Sequence, residues 1–195
     1  DSDDDTYQRL RRWEETDGRV TLYKCDTGKP HYGSQVHPER FQILAQVFNT
    51  GINGAVADDW ADFVCFIPSD VYYQPDLLRR LAAWDKDIIA AMFWVQYSDN
   101  QFRFYDIWGF VQNGRNWGPN DHRWYQAHLP DNPVQMDTIG GVKLIRRAVL
   151  EAGCRYTPEE VDHGLCKMAQ AAGFAVWADP TTHVVHGPER FPIEV

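Results

Sequence analysis

Residues 63–75 read Phe-Val-Cys-Phe-Ile-Pro-Ser-Asp-Val-Tyr-Tyr-Gln-Pro and leave one carboxylate, Asp70, just past the end of a five-residue apolar run. A carboxylate at the carboxyl end of a central strand is a hard ligand for Mg²⁺ or Mn²⁺, at the edge where open α/β sheets bind ligands. An Asp that only caps the following turn fits the same segment. A second acidic group, Glu159-Glu160-Val161-Asp162, follows Thr157-Pro158. Thr at N-cap, Pro at N1 and Glu160 at N3 form a capping box, and Asp162 in the first turn suits the helix dipole. Carboxylates so placed can also take a proton from a hydroxyl. Between the two acidic groups lie Trp94, Tyr97, Phe102, Phe104, Tyr105, Trp108, Trp117, Trp124 and Tyr125. Aromatic faces stack on sugar rings, and an aromatic minidomain core accounts for them equally well.

The elements that must position these residues alternate along the chain. Phe63 to Ile67 shows no polar alternation and predicts a strand buried on both faces, with a helix behind it from Pro75 to Trp84 carrying Leu77, Leu78, Leu81 and Trp84 at helical spacing. Upstream, the pattern predicts a helix over 6–15, a strand over 20–24 and a helix from Pro38 to about Ala57 that Gly51 or Gly54 could interrupt. Downstream come a strand over 88–93, an aromatic, turn-rich stretch over 94–128, and a strand over 134–137. A Gly140-Gly141 turn, a short helix near Ala148, a helix over 158–172 and strands over 175–178 and 182–185 follow. This order predicts an α/β domain with a mixed, mostly parallel sheet flanked by helices on both faces.

The chain has 195 residues, 44% of them hydrophobic, which suits one domain with a single core. Its formal charge of −9 argues against a nucleic-acid surface, because phosphate backbones are bound by clustered Lys and Arg. A phosphate-bearing ligand would need a cation. Cys25, Cys65, Cys154 and Cys166 form no C-x-x-C pair and fall in or beside apolar segments, which predicts reduced thiols in a cytoplasmic protein. No signal peptide and no apolar run near 18 residues is present, so no spanning segment is expected.

In motif order the chain resembles the GT-A glycosyltransferases, specifically their family-2-like members. Asp1-Ser-Asp-Asp-Asp-Thr6 is similar to the acidic loop beside the nucleotide, Phe48-Asn49-x-Gly51 to the Arg-Asn-x-Gly segment before the metal strand, and Pro68-Ser69-Asp70 to Asp-x-Asp. Asp137-Thr-Ile-Gly140-Gly141 resembles the glycine pair that admits the sugar, Glu159-Glu160-Val-Asp162 the Glu-Asp motif, and His186 the metal-binding His after a late strand. The resemblance implies one GT-A-like, Rossmann-like domain over 1–195, with a nucleotide-binding half over 1–93 and an acceptor and catalytic half over 94–195. It also implies a nucleotide-binding strand ahead of Asp1, which this chain either starts after or lacks. Donor-binding residues would be Asp3, Asp5, Asp26, Asn49, Ser69, Asp70, Gly140 and Gly141. Metal ligands would be Asp70 and His186, catalytic carboxylates Glu160 or Asp162, and acceptor-binding residues Trp94, Trp108 and Trp117.

The implied reaction moves a sugar from a UDP- or GDP-sugar to a hydroxyl acceptor, with Mn²⁺ or Mg²⁺ bridging the phosphates and stabilising the leaving group. An imidazole suits Mn²⁺ better. His183 competes with His186, but residues three apart on a strand face opposite sides, and Gly187-Pro188 end the strand beside His186. Two departures stand out: Pro68 has neither charge nor donor where the motif has its first Asp, and Phe48 replaces Arg. These favour an alternative from another class, a GT-A-like domain that binds nucleotide sugar or protein without turnover. A nucleotidyltransferase would need a Gly-rich, basic phosphate loop near the start, which is missing.

Overall fold

The computed structural model describes residues 4–29, 32, 37–58, 60–96, 102–106, 108–117 and 129–187. Helix α1 (Thr6–Thr16) precedes α2 (Pro38–Ala57), which starts with Pro38 at N1 and the His37 ring accepting the Glu39 N–H. Gly51 and Gly54 leave α2 unbroken. Gly54 is needed for packing, since a Cβ there would lie 2.4 Å from the Tyr23 ring. Residues 20–24, predicted as a strand, take no regular secondary structure and join no sheet. Their contacts are helical: Tyr23 lies on α2, and the Leu22 N–H donates to Glu14 of α1.

The main sheet holds β1 (Phe63–Phe66), β2 (Val71–Tyr73), β3 (Ile88–Gln96), β4 (Phe102–Phe104), β7 (Val134–Met136), β8 (Lys143–Arg146) and β9 (Val176–His186). Its order is β1-β8-β3-β9-β2, with β4 on β3 and β7 on β9; β5 (Val111–Gln112) and β6 (Arg115–Asn116) form a separate hairpin. Only β3 and β9 pair in parallel among the described strands, so the sheet is mixed and mostly antiparallel, not mostly parallel. The reason is β8, a strand that the sequence pattern does not predict. It runs antiparallel between β1 and β3, so these share a direction without touching as neighbours. Apolar runs do not encode strand direction; connections do.

β1 is also an edge strand and only partly buried, because its one partner among the described residues is β8. Asp70 therefore does not follow a central strand. Residues 67–70 instead carry the chain from the β1 edge to β2 at the far edge, and this crossing sets Asp70 beside the end of β9. The two strands predicted over 175–185 are one, β9, with an irregularity between Asp179 and His183 where the register to β3 jumps. Strands from both predicted halves interleave in this sheet.

Alternate residues of β3 face two apolar layers. Ile88, Ala90, Met92 and Trp94 pack with α2, α4 (Arg147–Glu151) and α5 (Asp162–Ala171), while Ile89, Ala91 and Phe93 pack with α3 (Leu77–Ala83). Helix α5 starts four residues later than predicted. Residues 158–160 form a turn closed by the Val161 N–H on the Thr157 carbonyl, and Val161 takes φ 46° as N-cap. The capping box is not formed. The Thr157 hydroxyl lies instead against Gly164, where a Cβ would stand only 2.0 Å from it.

Candidate active site

β1, β3 and β9 run the same way, so their carboxyl ends share one edge of the sheet. Val71 pairs with His186, and the Gly187 N–H donates to the Asp70 carbonyl at 2.7 Å. These backbone bonds bring Asp70 Oδ2 to 3.1 Å from His186 Nε2. The imidazole is stacked on Tyr105 at 4.7 Å between centroids and set edge-on to Phe93 at 5.8 Å. His183 lies on the other face of β9, against Trp94, with its Nε2 at the Pro180 carbonyl. The two histidines thus face opposite sides of the strand.

The pair fits a divalent cation. Two ligands about 2.2 Å from one ion and at right angles stand about 3.1 Å apart, and a carboxylate with an imidazole is a donor set that Mn²⁺ accepts. Among the described residues no group of three or more His, Cys, Asp or Glu side chains could hold an ion. A cation held by this pair would have its other positions open to phosphate and water.

At the same edge of the sheet, where the start of β8 pairs with the end of β1, lies a charged cluster. Lys143, at the start of β8 and 1% exposed, pairs with Asp162 at the start of α5, which is 31% exposed. Its ammonium also sits over the Tyr156 ring at 5.4 Å. Burial alone would lower the Lys143 pKa; the Asp162 carboxylate beside it outweighs that and holds it above its ordinary value. Burial pushes the Tyr156 phenol up and the Cys166 thiol up to about 11. A positive φ at a β-branched residue is a strained backbone, costing about 1–3 kcal/mol, and Val161 carries it one residue before Asp162.

Glu160 sits apart from this cluster. Both its carboxylate oxygens accept from Lys167, at 2.6 and 2.7 Å, on an exposed surface. Gly140 and Gly141 are close-approach positions: a Cβ on Gly140 would meet the Asp106 carboxyl at 1.7 Å, and one on Gly141, at φ 56°, would meet the Phe93 ring at 2.8 Å. The glycine pair thus accommodates the protein's own side chains. Asp106, which no motif singles out, occupies the recess; its only sequence signal is a lone acid inside an aromatic run.

The remaining predicted residues are scattered. Asn49 exchanges two hydrogen bonds with the Tyr156 backbone, at 2.9 and 3.0 Å, and so ties α2 to the segment before α5. Phe48 packs on Phe66 and Tyr156. Asp5 pairs with Arg9 on α1, and Asp26 closes a turn onto the Gly28 N–H. Ser69 is exposed beside Asp70, and Asp3 lies outside the described residues. Trp94 is a core residue with its ring against Phe104, a correction to its reading as an acceptor platform. Trp117 stacks on Phe110, and Trp108 is 69% exposed. Tyr97, Trp124 and Tyr125 lie outside the described residues. The four cysteines are free, and among the described residues no helix is long and apolar enough to cross a membrane.

No protein-family model matches the chain, and no curated protein does. Solved structures do: 65 chains match, among them GalNAc-T7, crystallised with UDP, GalNAc and Mn²⁺. The likeness has a TM-score of 0.60 at 12% identity and covers the whole of this chain and 38% of that one. The chain therefore has a glycosyltransferase-like fold and spans well under half the length of that neighbour.

Proposed function

We propose that this chain is a metal-assisted glycosyltransferase of the GT-A type, transferring a sugar from a nucleoside-diphosphate donor to a hydroxyl acceptor. The observation that carries the reading is the Asp70–His186 pair, 3.1 Å apart at the carboxyl edge shared by β1, β3 and β9. The fold of the neighbour crystallised with UDP and Mn²⁺ agrees with it. A divalent cation at this pair would offset the charge that develops on the departing diphosphate.

The chain's own residues supply the rest. Donor contacts fall to Asp70 and to Ser69 beside it, both exposed. Of the two candidate bases we favour Asp162, which the buried Lys143 ammonium orients, whereas Glu160 is engaged by Lys167 on the outer surface. In the transfer step Asp162 takes the proton of the acceptor hydroxyl as its oxygen bonds to the anomeric carbon. The bond from that carbon to the diphosphate oxygen breaks, and the nucleoside diphosphate leaves with the electron pair. The exposed Trp108 offers a face to the acceptor, its carbonyl held by His163 Nε2 at 2.9 Å.

Thermal unfolding with UDP- and GDP-sugars, each with and without Mn²⁺, tests the donor site, because a ligand of the native state raises stability by mass action. A Mn²⁺-dependent rise is expected for one nucleotide class; no rise with any donor would sink the reading. A second reading, a binding domain without turnover, draws on Phe48, whose ring is packed in the core and cannot serve as the usual Arg would. Donor binding with no release of nucleoside diphosphate would favour it.

A further inference from the structure

His186 closes β9, where its backbone pairs with Val71 of β2 and Val95 of β3. Among the described residues its side chain has one polar contact, Nε2 with the Asp70 carboxylate at 3.1 Å, and Nδ1 has no hydrogen-bond partner. A ring engaged at one nitrogen can still turn about the bond from Cβ to the ring. Metal-binding histidines are commonly held against that motion by a hydrogen bond on the other nitrogen.

Here two aromatic rings stand in that role. Tyr105 lies nearly parallel to the imidazole, at 14° and 4.7 Å between centroids, and covers one of its faces. Phe93 meets the imidazole at 62° and 5.8 Å and lies 5.6 Å from Tyr105, so the three rings form one cluster. Backbone contacts place both rings independently of His186. The Tyr105 N–H donates to the Phe93 carbonyl at 2.7 Å, which carries the β3–β4 pairing one residue further. The Phe93 ring has room because Gly141 has no side chain, since a Cβ there would stand 2.8 Å from it. The His186 side chain nevertheless keeps 23% of its surface exposed, so the clamp leaves the imidazole open on the Asp70 side.

We propose that Tyr105 is a positioning residue for His186: its ring does the work of the absent Nδ1 hydrogen bond and keeps Nε2 aimed at the space shared with Asp70. The cation site is then formed before the ion arrives. The proposal rests on the Asp70–His186 pair being that site. Packing alone would be served equally by an aliphatic side chain at 105, whereas stacking fixes the plane of the ring it covers.

The test compares the wild type with Tyr105→Leu, which keeps apolar bulk and removes the stacking face, and Tyr105→Phe, which keeps the face. Free Mn²⁺ counted by EPR during titration, with Mn²⁺ alone and with Mn²⁺ plus UDP, gives the affinity of each protein. Tyr105→Leu should bind Mn²⁺ on the order of tenfold more weakly, the loss typical of removing a group that orients a metal-bound histidine, and Tyr105→Phe should restore it to within about twofold. In the metal-free proteins, ¹³C relaxation of the His186 ring should show one fixed orientation in the wild type and Tyr105→Phe, and fast ring motion in Tyr105→Leu. A residue that only fills the core would lower Tm when changed to Leu and move neither readout. Equal Mn²⁺ affinity in Tyr105→Leu and the wild type, or a wild-type imidazole that is already mobile, overturns the proposal. If the wild type binds no Mn²⁺ with or without UDP, the cation reading fails separately, and the relaxation data still decide whether Tyr105 holds the imidazole.

Discussion

Asp162→Asn removes the carboxylate bonded to the buried Lys143 ammonium, and the consequence can be worked out from the site. Breaking a fully buried ion pair from one side costs about 3–5 kcal/mol, since an uncompensated charge is left behind. Here Lys143 is 1% exposed and Asp162 31%, so partial solvation of Asp162 reduces the loss to about 2–3 kcal/mol. Lys143→Met alone removes the buried charge together with its desolvation cost and should lie within about 1 kcal/mol of the wild type, since an apolar side chain of similar volume replaces a buried ion at little loss. The double variant leaves no buried charge uncompensated and should match Lys143→Met to within about 0.5 kcal/mol. The cycle therefore predicts at least about 1 kcal/mol of coupling between positions 143 and 162. Urea unfolding of the four proteins at pH 7.5 measures it. A coupling below about 0.5 kcal/mol, the ordinary scatter for independent sites, would refute the ion-pair reasoning.

The other expectations follow from the same geometry. Asp70→Ala should abolish any Mn²⁺-dependent stabilisation by a nucleotide sugar while costing less than about 1 kcal/mol of fold stability, since its partner His186 is held by Tyr105 and Phe93 and Asp70 is more than half exposed; unchanged donor binding would exclude a working metal there. Glu160→Gln should leave turnover within about twofold, whereas Asp162→Asn should lower it about 10²–10⁴-fold, as removal of a proton acceptor does; the reverse ranking, read from nucleoside-diphosphate release, would move the base to Glu160. The raised Asp106 pKa means that the fold binds a proton the unfolded chain has released between about pH 4 and 6. Its stabilising contribution is present below pH 4 and lost as pH rises through 6, by at most about 3 kcal/mol, because each pH unit in that window is worth about 1.4 kcal/mol. Asp106→Asn should flatten that slope in pH-dependent thermal unfolding, and a slope equal to the wild type's would contradict it. Gly140→Ala should destabilise by about 1–3 kcal/mol, because its methyl would overlap the Asp106 carboxyl, as overpacking does; an unaffected Tm would argue that the recess is not as tight as the glycine implies.

Much of the local structure is legible in the sequence because it depends on neighbours along the chain. The 3.6-residue spacing of α2 and α3, the apolar runs of β1, β3 and β9 and the opposite facing of His183 and His186 all follow from backbone periodicity and side-chain size. So does the proximity of Asp70 and His186, once the strands carrying the flanking chain are taken to end at one edge. The errors share a cause. Lys143 at the head of β8 reads as an exposed charge in a linear chain, and only a carboxylate nineteen residues later makes its burial tolerable. A lysine at the head of so short an apolar run gives no strand signal, so β8 goes unpredicted, and with it the antiparallel character of the sheet. Thr157-Pro158-Glu159-Glu160 has every local sign of a helix start, yet the close approach of Thr157 to Gly164 moves the start to Asp162.

From the sequence alone came which residue types are present to bind a cation or accept a proton, and which stretches would be helix or strand, since composition and periodicity are properties of the chain itself. Only the tertiary structure decided which of those groups meet. β1 and β2 lie at opposite edges of the sheet, the crossing between them delivers Asp70 to His186, and packing buries the Lys143 ammonium against Asp162 nineteen residues away. Such encounters depend on long-range packing and on the desolvation of charges, and neither is set by adjacent residues.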